Sequence, residues 1–188
     1  MSAQDTLYLK KDSLLFTPGP MVFFKGDTNI IVNKKHEILE GILVKNTYLW
    51  TGRSLVLFRG SSPVRFNRAG NVIMGFLVEQ TPMHTTNQIY DVRGNSLVIF
   101  SDDGFLLQGD LAKDAEIAVN GKLTEFLKSS TVYFNTDGII AGGTISKKEQ
   151  FKLPDGKTKT FRAGTTLFFN QTGEVTLSQE ENGREESF

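Results

Sequence analysis

A chain of 188 residues with 15 Phe, 18 Gly and no Cys is long enough for one large core or a repeat array, and it can carry no disulfide, thiolate or cysteine-zinc chemistry. Its 21 Lys and Arg balance 21 Asp and Glu, so no net field draws it toward nucleic acid or an anionic bilayer. No apolar run approaches the roughly 20 residues of a membrane-spanning helix, which predicts no membrane insertion.

The chain opens on Met1-Ser2-Ala3-Gln4-Asp5, which lacks the charged region and apolar stretch of a signal peptide. Residues 1–14, with the apolar alternation Leu7, Leu9, are read as an N-terminal edge or cap. From residue 15 to 178 the chain is periodic. Turn positions fall near Gly19, His36, Arg53, Gly70, Asn87, Gly104, Gly121, Gly138, Gly156 and Gly173, at a spacing of 17 with one step of 18. Asp103-Gly104, Asn120-Gly121, Asp137-Gly138 and Asp155-Gly156 are short hairpin turns by composition, because these residues tolerate positive φ.

Five residues past each turn, Phe24, Gly41, Phe58, Gly75, Val92, Gly109, Phe126, Gly143 and Phe161 alternate a bulky side chain with glycine. That alternation joins two 17-residue halves into one 34-residue unit, so Phe66, Phe100 and Phe134 are equivalent. Around Asn135-Thr136-Asp137-Gly138 the flanking Val132, Phe134, Ile140 and Gly142 follow period two, the pattern of half-buried strands. The stretch from Lys122 to Lys128 is too short for a stable helix and is read as strand. The predicted fold is all-β: a tandem array of about ten 17-residue β-hairpin units forming a twisted or coiled antiparallel sheet. Strands that hairpin back and forth in one sheet would set Phe66 and Phe100 four strand spacings apart, roughly 19 Å. A Phe facing a Gly reads as a ring covering bare backbone on a nearby strand. Residues 179–188, acidic and nearly without apolar side chains, are expected to be a disordered or solvated tail.

The segment Tyr133-Phe134-Asn135-Thr136-Asp137-Gly138-Ile139-Ile140-Ala141-Gly142 resembles the hairpin of bacterial cell-wall-binding and clostridial-toxin repeats. The turn-plus-glycine rhythm is also similar to MORN-type and antitoxin-like repeats, whose successive hairpins serve as scaffolds or binding surfaces. The resemblance implies an architecture, and a bacterial cell-surface or secreted location. It carries over no ligand-binding residues, since the chain has one Trp and four Tyr and lacks the Tyr-x-Gly and His-Gly signatures.

His36 and His84 stand in polar turn segments, and no His, Cys or carboxylate spacing marks a metal site or a nucleophile triad. Asp102, Asp103, Asp110, Asp114 and Glu116 could be arranged as calcium ligands, but Asp103-Gly104 is a repeat turn and the set reads as solvated carboxylates. Phe66, Phe100, Phe134 and Phe169 read as core. No catalytic, metal or cofactor-binding residue is assigned, and no cofactor is expected. The expected function is a non-enzymatic structural or interaction protein that offers an extended β surface to a macromolecular partner. A carbohydrate- or cell-wall-binding module is the alternative, with Tyr48, Trp50, Tyr90 and Tyr133 as its possible binding surface. A glycan-acting hydrolase is the third reading.

Overall fold

The computed structural model describes residues 5–179 and 185–187, and every regular element among them is a β-strand. The chain divides into two compact units, residues 1–81 with 94–105 and residues 82–93 with 106–188. In chain order the strands are β1 (Asp5–Leu9), β2 (Ser13–Phe16), β3 (Met21–Phe24), β4 (Thr28–Val32), β5 (Ile38–Ile42), β6 (Thr47–Trp50) and β7 (Leu55–Phe58). There follow β8 (Pro63–Phe66), β9 (Val72–Phe76), β10 (Thr81–His84), β11 (Ile89–Val92), β12 (Leu97–Phe100), β13 (Leu106–Asp110), β14 (Ala115–Val119) and β15 (Lys122–Phe126). The last are β16 (Thr131–Phe134), β17 (Ile140–Thr144), β18 (Glu149–Lys152), β19 (Thr158–Phe161), β20 (Thr166–Phe169), β21 (Val175–Gln179) and β22 (Glu185–Ser187). The segment near Lys122 is therefore strand, as its length required.

In the first unit, β1-β4-β5-β8-β9-β12 are hydrogen-bonded neighbours in that order, while β2–β3 and β6–β7 stand apart as two-stranded hairpins. In the second, β13-β16-β17-β20-β21-β22 form the sheet, and β10–β11, β14–β15 and β18–β19 stand apart. Alternate hairpins leave the sheet and stand as two-stranded hairpins of their own. Phe66 on β8 and Phe100 on β12 are consequently two strand positions apart, roughly 10 Å, and not four. The first residues belong to the repeat as well. β1 pairs with β4 as β5 pairs with β8, and the first side hairpin begins at Ser13. Of the expected acidic tail, Gln179 closes β21 and Glu185–Ser187 pair with that strand. Residues 180–184 and 188 lie outside the described residues.

Turn chemistry follows the same alternation. In the sheet hairpins an Asn folds back on its own turn: the Oδ1 of Asn33, Asn67, Asn135 and Asn170 each accepts backbone N–H bonds from residues two and four further on. In the first three side hairpins a buried Thr takes this place, and the hydroxyls of Thr17, Thr51 and Thr85 donate to the carbonyls of Pro20, Ser54 and Gln88; Val119 and Leu153 stand there in the last two. A third set of turns carries the chain from a side hairpin back to the sheet. Asp27, Ser61, Asn95, Ser129 and Gly164 all have positive φ, and their N–H groups donate to Leu9, Leu43, Leu77, Leu111 and Ile145. The side chains of Asp12, Asn46 and Asp114 brace these corners by accepting the N–H of Gly26, Gly60 and Lys128.

The core of each unit lies between its sheet and its side hairpins. Phe24 on β3 meets Phe66 on β8 edge to face, at 6.4 Å between centroids, and Tyr90 on β11 stacks on Phe134 of β16 at 5.3 Å. Facing turns interlock about 51 residues apart along the chain. A Cβ added to Gly70 would lie 2.3 Å from the backbone nitrogen of Gly19, and Gly70 also has φ +82°. Asn87 Nδ2 donates to the carbonyls of Asp137 and Gly138 at the equivalent junction of the second unit.

The alternation of bulky residue and glycine is one packing device. Phe24, Phe58 and Phe126 are fully buried, and a ring carbon of each lies 2.7, 2.5 and 2.7 Å from where a Cβ on Gly41, Gly75 and Gly143 would sit. Each glycine is the space its ring occupies. At Gly109 the cover is Val92, whose Cγ1 lies 3.0 Å from the same point. The expected Phe-over-Gly pairing holds, and it joins residues 17 apart. One detail of the period-two reading is corrected. Tyr133 pairs with Gly142 but Phe134 pairs with Ile140, a bulge that skips Ala141. Gly143 rather than Gly142 therefore faces Val132 and the core, and Gly142 lies under the Phe168 ring on the opposite face.

Candidate functional site

Because the side hairpins bury one face against the sheet, period two turns the other face outward. Four residues per hairpin occupy it. In β2–β3 the cross-strand pairs are Leu14 with Phe23 and Phe16 with Met21; in β6–β7 they are Tyr48 with Leu57 and Trp50 with Leu55. All eight are apolar or aromatic. Seven are exposed by more than a third of their surface, from 38% for Phe23 to 64% for Phe16, and Leu57 is half-buried. The base of β2–β3 is bonded to the segment that leads into β6, since Val44 donates to the Phe23 carbonyl, Lys25 donates to Ile42, and Phe24 bridges Leu43. Together the apolar faces of these two hairpins are the apolar patch of the first unit.

The repeat supplies its own control. At the same four outward positions the second unit has Pro82, His84, Ile89 and Asp91 in β10–β11, and Glu116, Ala118, Leu123 and Glu125 in β14–β15. In β18–β19 the four are Gln150, Lys152, Thr158 and Thr160. These hairpins form with charged, polar or small residues at most outward positions, Pro82, Ile89 and Leu123 being the apolar exceptions. The apolar chemistry of β2–β3 and β6–β7 is not required to build the hairpin.

Of the aromatic residues expected to form a binding surface, the structure brings two together. Tyr48 and Trp50 are exposed on one face of β6, at 59% and 46%. Tyr90 is corrected to the core: it is 8% exposed, its ring is stacked on Phe134, and its hydroxyl donates to Gln88 Oε1 at 2.8 Å. Burial alone raises its pKa. Tyr133 lies on β16 of the second unit, half-buried, with its ring tilted against Phe168 at 5.4 Å. Leu14, Phe16, Met21, Phe23 and Leu55 are not among the residues expected there; the signal that marks them is the contrast between equivalent outward positions from one repeat to the next.

Two of the acidic side chains, Asp110 and Asp114, have structural work, and Asp102 supplies a backbone carbonyl. Asp110 pairs with Arg93 and accepts the Thr131 hydroxyl, Asp114 caps Lys128, and the Asp102 carbonyl accepts Asn67 Nδ2. Among the described residues no three His, Asp or Glu stand together in a group that could hold a metal ion. The Glu125 carboxyl is held below the usual range by the Ser146 hydroxyl, at 2.6 Å, and by Lys147. Hydrogen bonds from Lys157, side chain first and then backbone, hold Asp155 low as well. A general acid needs the opposite shift.

Fold and face together define an all-β hairpin-repeat protein with a single-sided apolar patch. No protein-family model matches the chain, and no match is found among curated proteins.

Proposed function

We propose that the protein is a non-enzymatic interaction module, and that the outward face of β2–β3 and β6–β7 is where its macromolecular partner docks. The observation that carries this reading is the contrast between equivalent positions. Eight outward residues are apolar in the first two side hairpins, whereas the later hairpins accept Asp, Glu, Lys and Gln there. Exposed apolar patches beyond a few hundred Å² are uncommon on proteins that stay alone, since their hydration costs solubility without aiding the fold. The test compares three immobilised proteins for retention of macromolecules from a native extract: wild type, Leu55→Glu and Leu123→Glu. Loss of retained material in Leu55→Glu alone is expected. Equal retention by all three would sink the assignment of the patch.

Glycan binding is the second reading, favoured by Tyr48 and Trp50 side by side on one strand face, where rings could stack on sugars. Because Trp50 is the only Trp in the chain, its emission reports directly on this face. Quenching or a shift on titration with soluble polysaccharide, absent in Tyr48→Ala, would favour glycan over protein.

A further inference from the structure

We infer that a cleft in the second unit, walled by hairpin turns, takes a single neutral sugar ring. Its walls come from the turns that join β10 to β11, β14 to β15, β16 to β17 and β20 to β21, and its volume is about 280 Å³. That lies just below the roughly 300–1,000 Å³ of sites for drug-sized ligands, so it suits one ring and not a chain of them. Although 22% of the chain is charged, no charged side chain among the described residues lines the cleft. A phosphate, carboxylate or ammonium group would lose its water there without meeting a counter-charge. What the cleft offers is carboxamides, those of Asn87, Gln88, Asn120 and Gln171. Asn87 Nδ2 is spent on the Asp137 and Gly138 carbonyls, and Gln88 Oε1 accepts the Tyr90 hydroxyl at 2.8 Å. Gln88 Nε2 and the side-chain amides of Asn120 and Gln171 have no hydrogen-bond partner among the described residues. A carboxamide both donates and accepts, as every sugar hydroxyl does, so the two chemistries match without any charge. Ile139, 40% exposed, also lines the cleft and gives apolar surface to the C–H side of such a ring.

Hairpin turns do not themselves demand these residues. The position after the turn Asn is Lys34 or Arg68 in the first unit and Gln171 here. Tyr90, whose hydroxyl holds Gln88, stands where Val22 and Val56 stand in the first unit. The larger cleft of the first unit, about 840 Å³, has Lys34, Arg68, Asp102 and Asp103 on its walls and lacks this neutrality. The sugar cleft shares no residue with the docking face proposed above and does not depend on it.

The experiment records amide proton–nitrogen correlation spectra of the full chain during titration with glucose, galactose and N-acetylglucosamine, and with glucose 6-phosphate as the charged comparison. At least one neutral sugar is expected to shift the side-chain amides of Asn120 and Gln171 and the backbone amides of Gly121 and Gly173. Saturation is expected with a dissociation constant of about 1–10 mM, the range open to a ligand of one ring. Gln171→Lys restores the charge of the first unit's turns, and Asn120→Gly removes the side chain while suiting the φ of +47° at that position. Each should weaken binding by about fivefold or more, the effect of losing one hydrogen bond. Both residues are exposed, so the melting temperature should hold. Thr136→Lys, at the matching position of the β16–β17 turn and outside the cleft lining, should bind as wild type does. The absence of any shift with all three neutral sugars, well above that concentration range, overturns the inference. So do undiminished affinities in Gln171→Lys and Asn120→Gly, tighter binding of glucose 6-phosphate than of glucose, or shifts confined to Tyr48, Trp50 and their strand. The docking reading is decided separately, by retention of macromolecules in the comparison described above.

Discussion

Adding one methyl group at Gly75 tests whether the bulky residue and the glycine 17 positions later are one packing unit. An alanine Cβ there would lie 2.5 Å from Cδ1 and 2.8 Å from Cε1 of Phe58, against the 3.5–4.0 Å of ordinary carbon contact. The ring would have to retreat by about 1 Å, and Phe58 is fully buried with no open side. Overpacking of this kind costs about 1–3 kcal/mol, offset by about 0.4–1 kcal/mol from the lower entropy of an unfolded chain with alanine. A net loss of about 1–2 kcal/mol is expected for Gly75→Ala. At Gly109 the cover is Val92, the nearest atom is 3.0 Å away, and a few tenths of an ångström of movement suffices. Gly109→Ala should therefore lie within about 0.5 kcal/mol of wild type. Phe58→Val rebuilds the Val92–Gly109 arrangement at the first site. Alone it should cost about 2 kcal/mol through the cavity it leaves, while adding Gly75→Ala to it should cost little more, a coupling of at least about 1 kcal/mol. Urea unfolding with an unchanged m-value reads all four proteins. Equal losses for the two glycine substitutions, or strict additivity of Phe58→Val and Gly75→Ala, would refute the paired-packing account.

Thr124 occupies the core position held by Val22 and Val56 in earlier side hairpins, and its hydroxyl is buried without a hydrogen-bond partner among the described residues. Thr124→Val should raise stability by about 1 kcal/mol, read as an increase in urea midpoint. Gly70 and Gly156 have φ of +82° and +83°, but an added Cβ meets the Gly19 backbone at the first and nothing within 4 Å at the second. Gly156→Ala should cost only the left-handed strain of about 1–2 kcal/mol, and Gly70→Ala at least about 1 kcal/mol more; equal midpoints would count against interlocked turns. The Glu125 carboxyl is lowered from its ordinary value of 4.5, first by the Ser146 hydroxyl and then by Lys147. Its contribution is complete above that pH and is lost as the pH falls through the lower folded value, so Glu125→Gln should flatten the acid limb of a melting-temperature profile.

Turn positions and the alternation of bulky residue with glycine were legible because each leaves a residue type at a fixed spacing. The division into sheet and side hairpins was not, although its trace is present: Thr17, Thr51 and Thr85 mark one class of turn, and Asn33, Asn67, Asn135 and Asn170 the other. Corner turns hid because Asp27, Ser61, Asn95 and Ser129 adopt positive φ without glycine. The bulge also has a signature, since Ile140 and Gly143 both face inward although they are an odd number of residues apart. Tyr90 was assigned to the surface from its residue type, while its alignment with Val22 and Val56 would have placed it inside. The patch was half legible. Tyr48 and Trp50 announce themselves as aromatic residues, but Leu14, Met21 and Leu55 look like core until the repeat's facing is known.

Facing turns about 51 residues apart and ring-glycine contacts 17 apart restrict how such a chain can change length. Losing or gaining 17 residues would exchange the classes of hairpin beyond that point, setting glycine against glycine and ring against ring, and an Asn turn where a Thr turn must fit. A step of 34 restores every partner. Length variants of this protein should thus be viable in whole double units, for example with residues 72–105 removed, and not in single hairpins. The one irregular step, the 18-residue interval ending at Gly156, falls at a turn where an added Cβ would touch nothing within 4 Å. A lone extra residue is absorbed where no opposing turn has to match it.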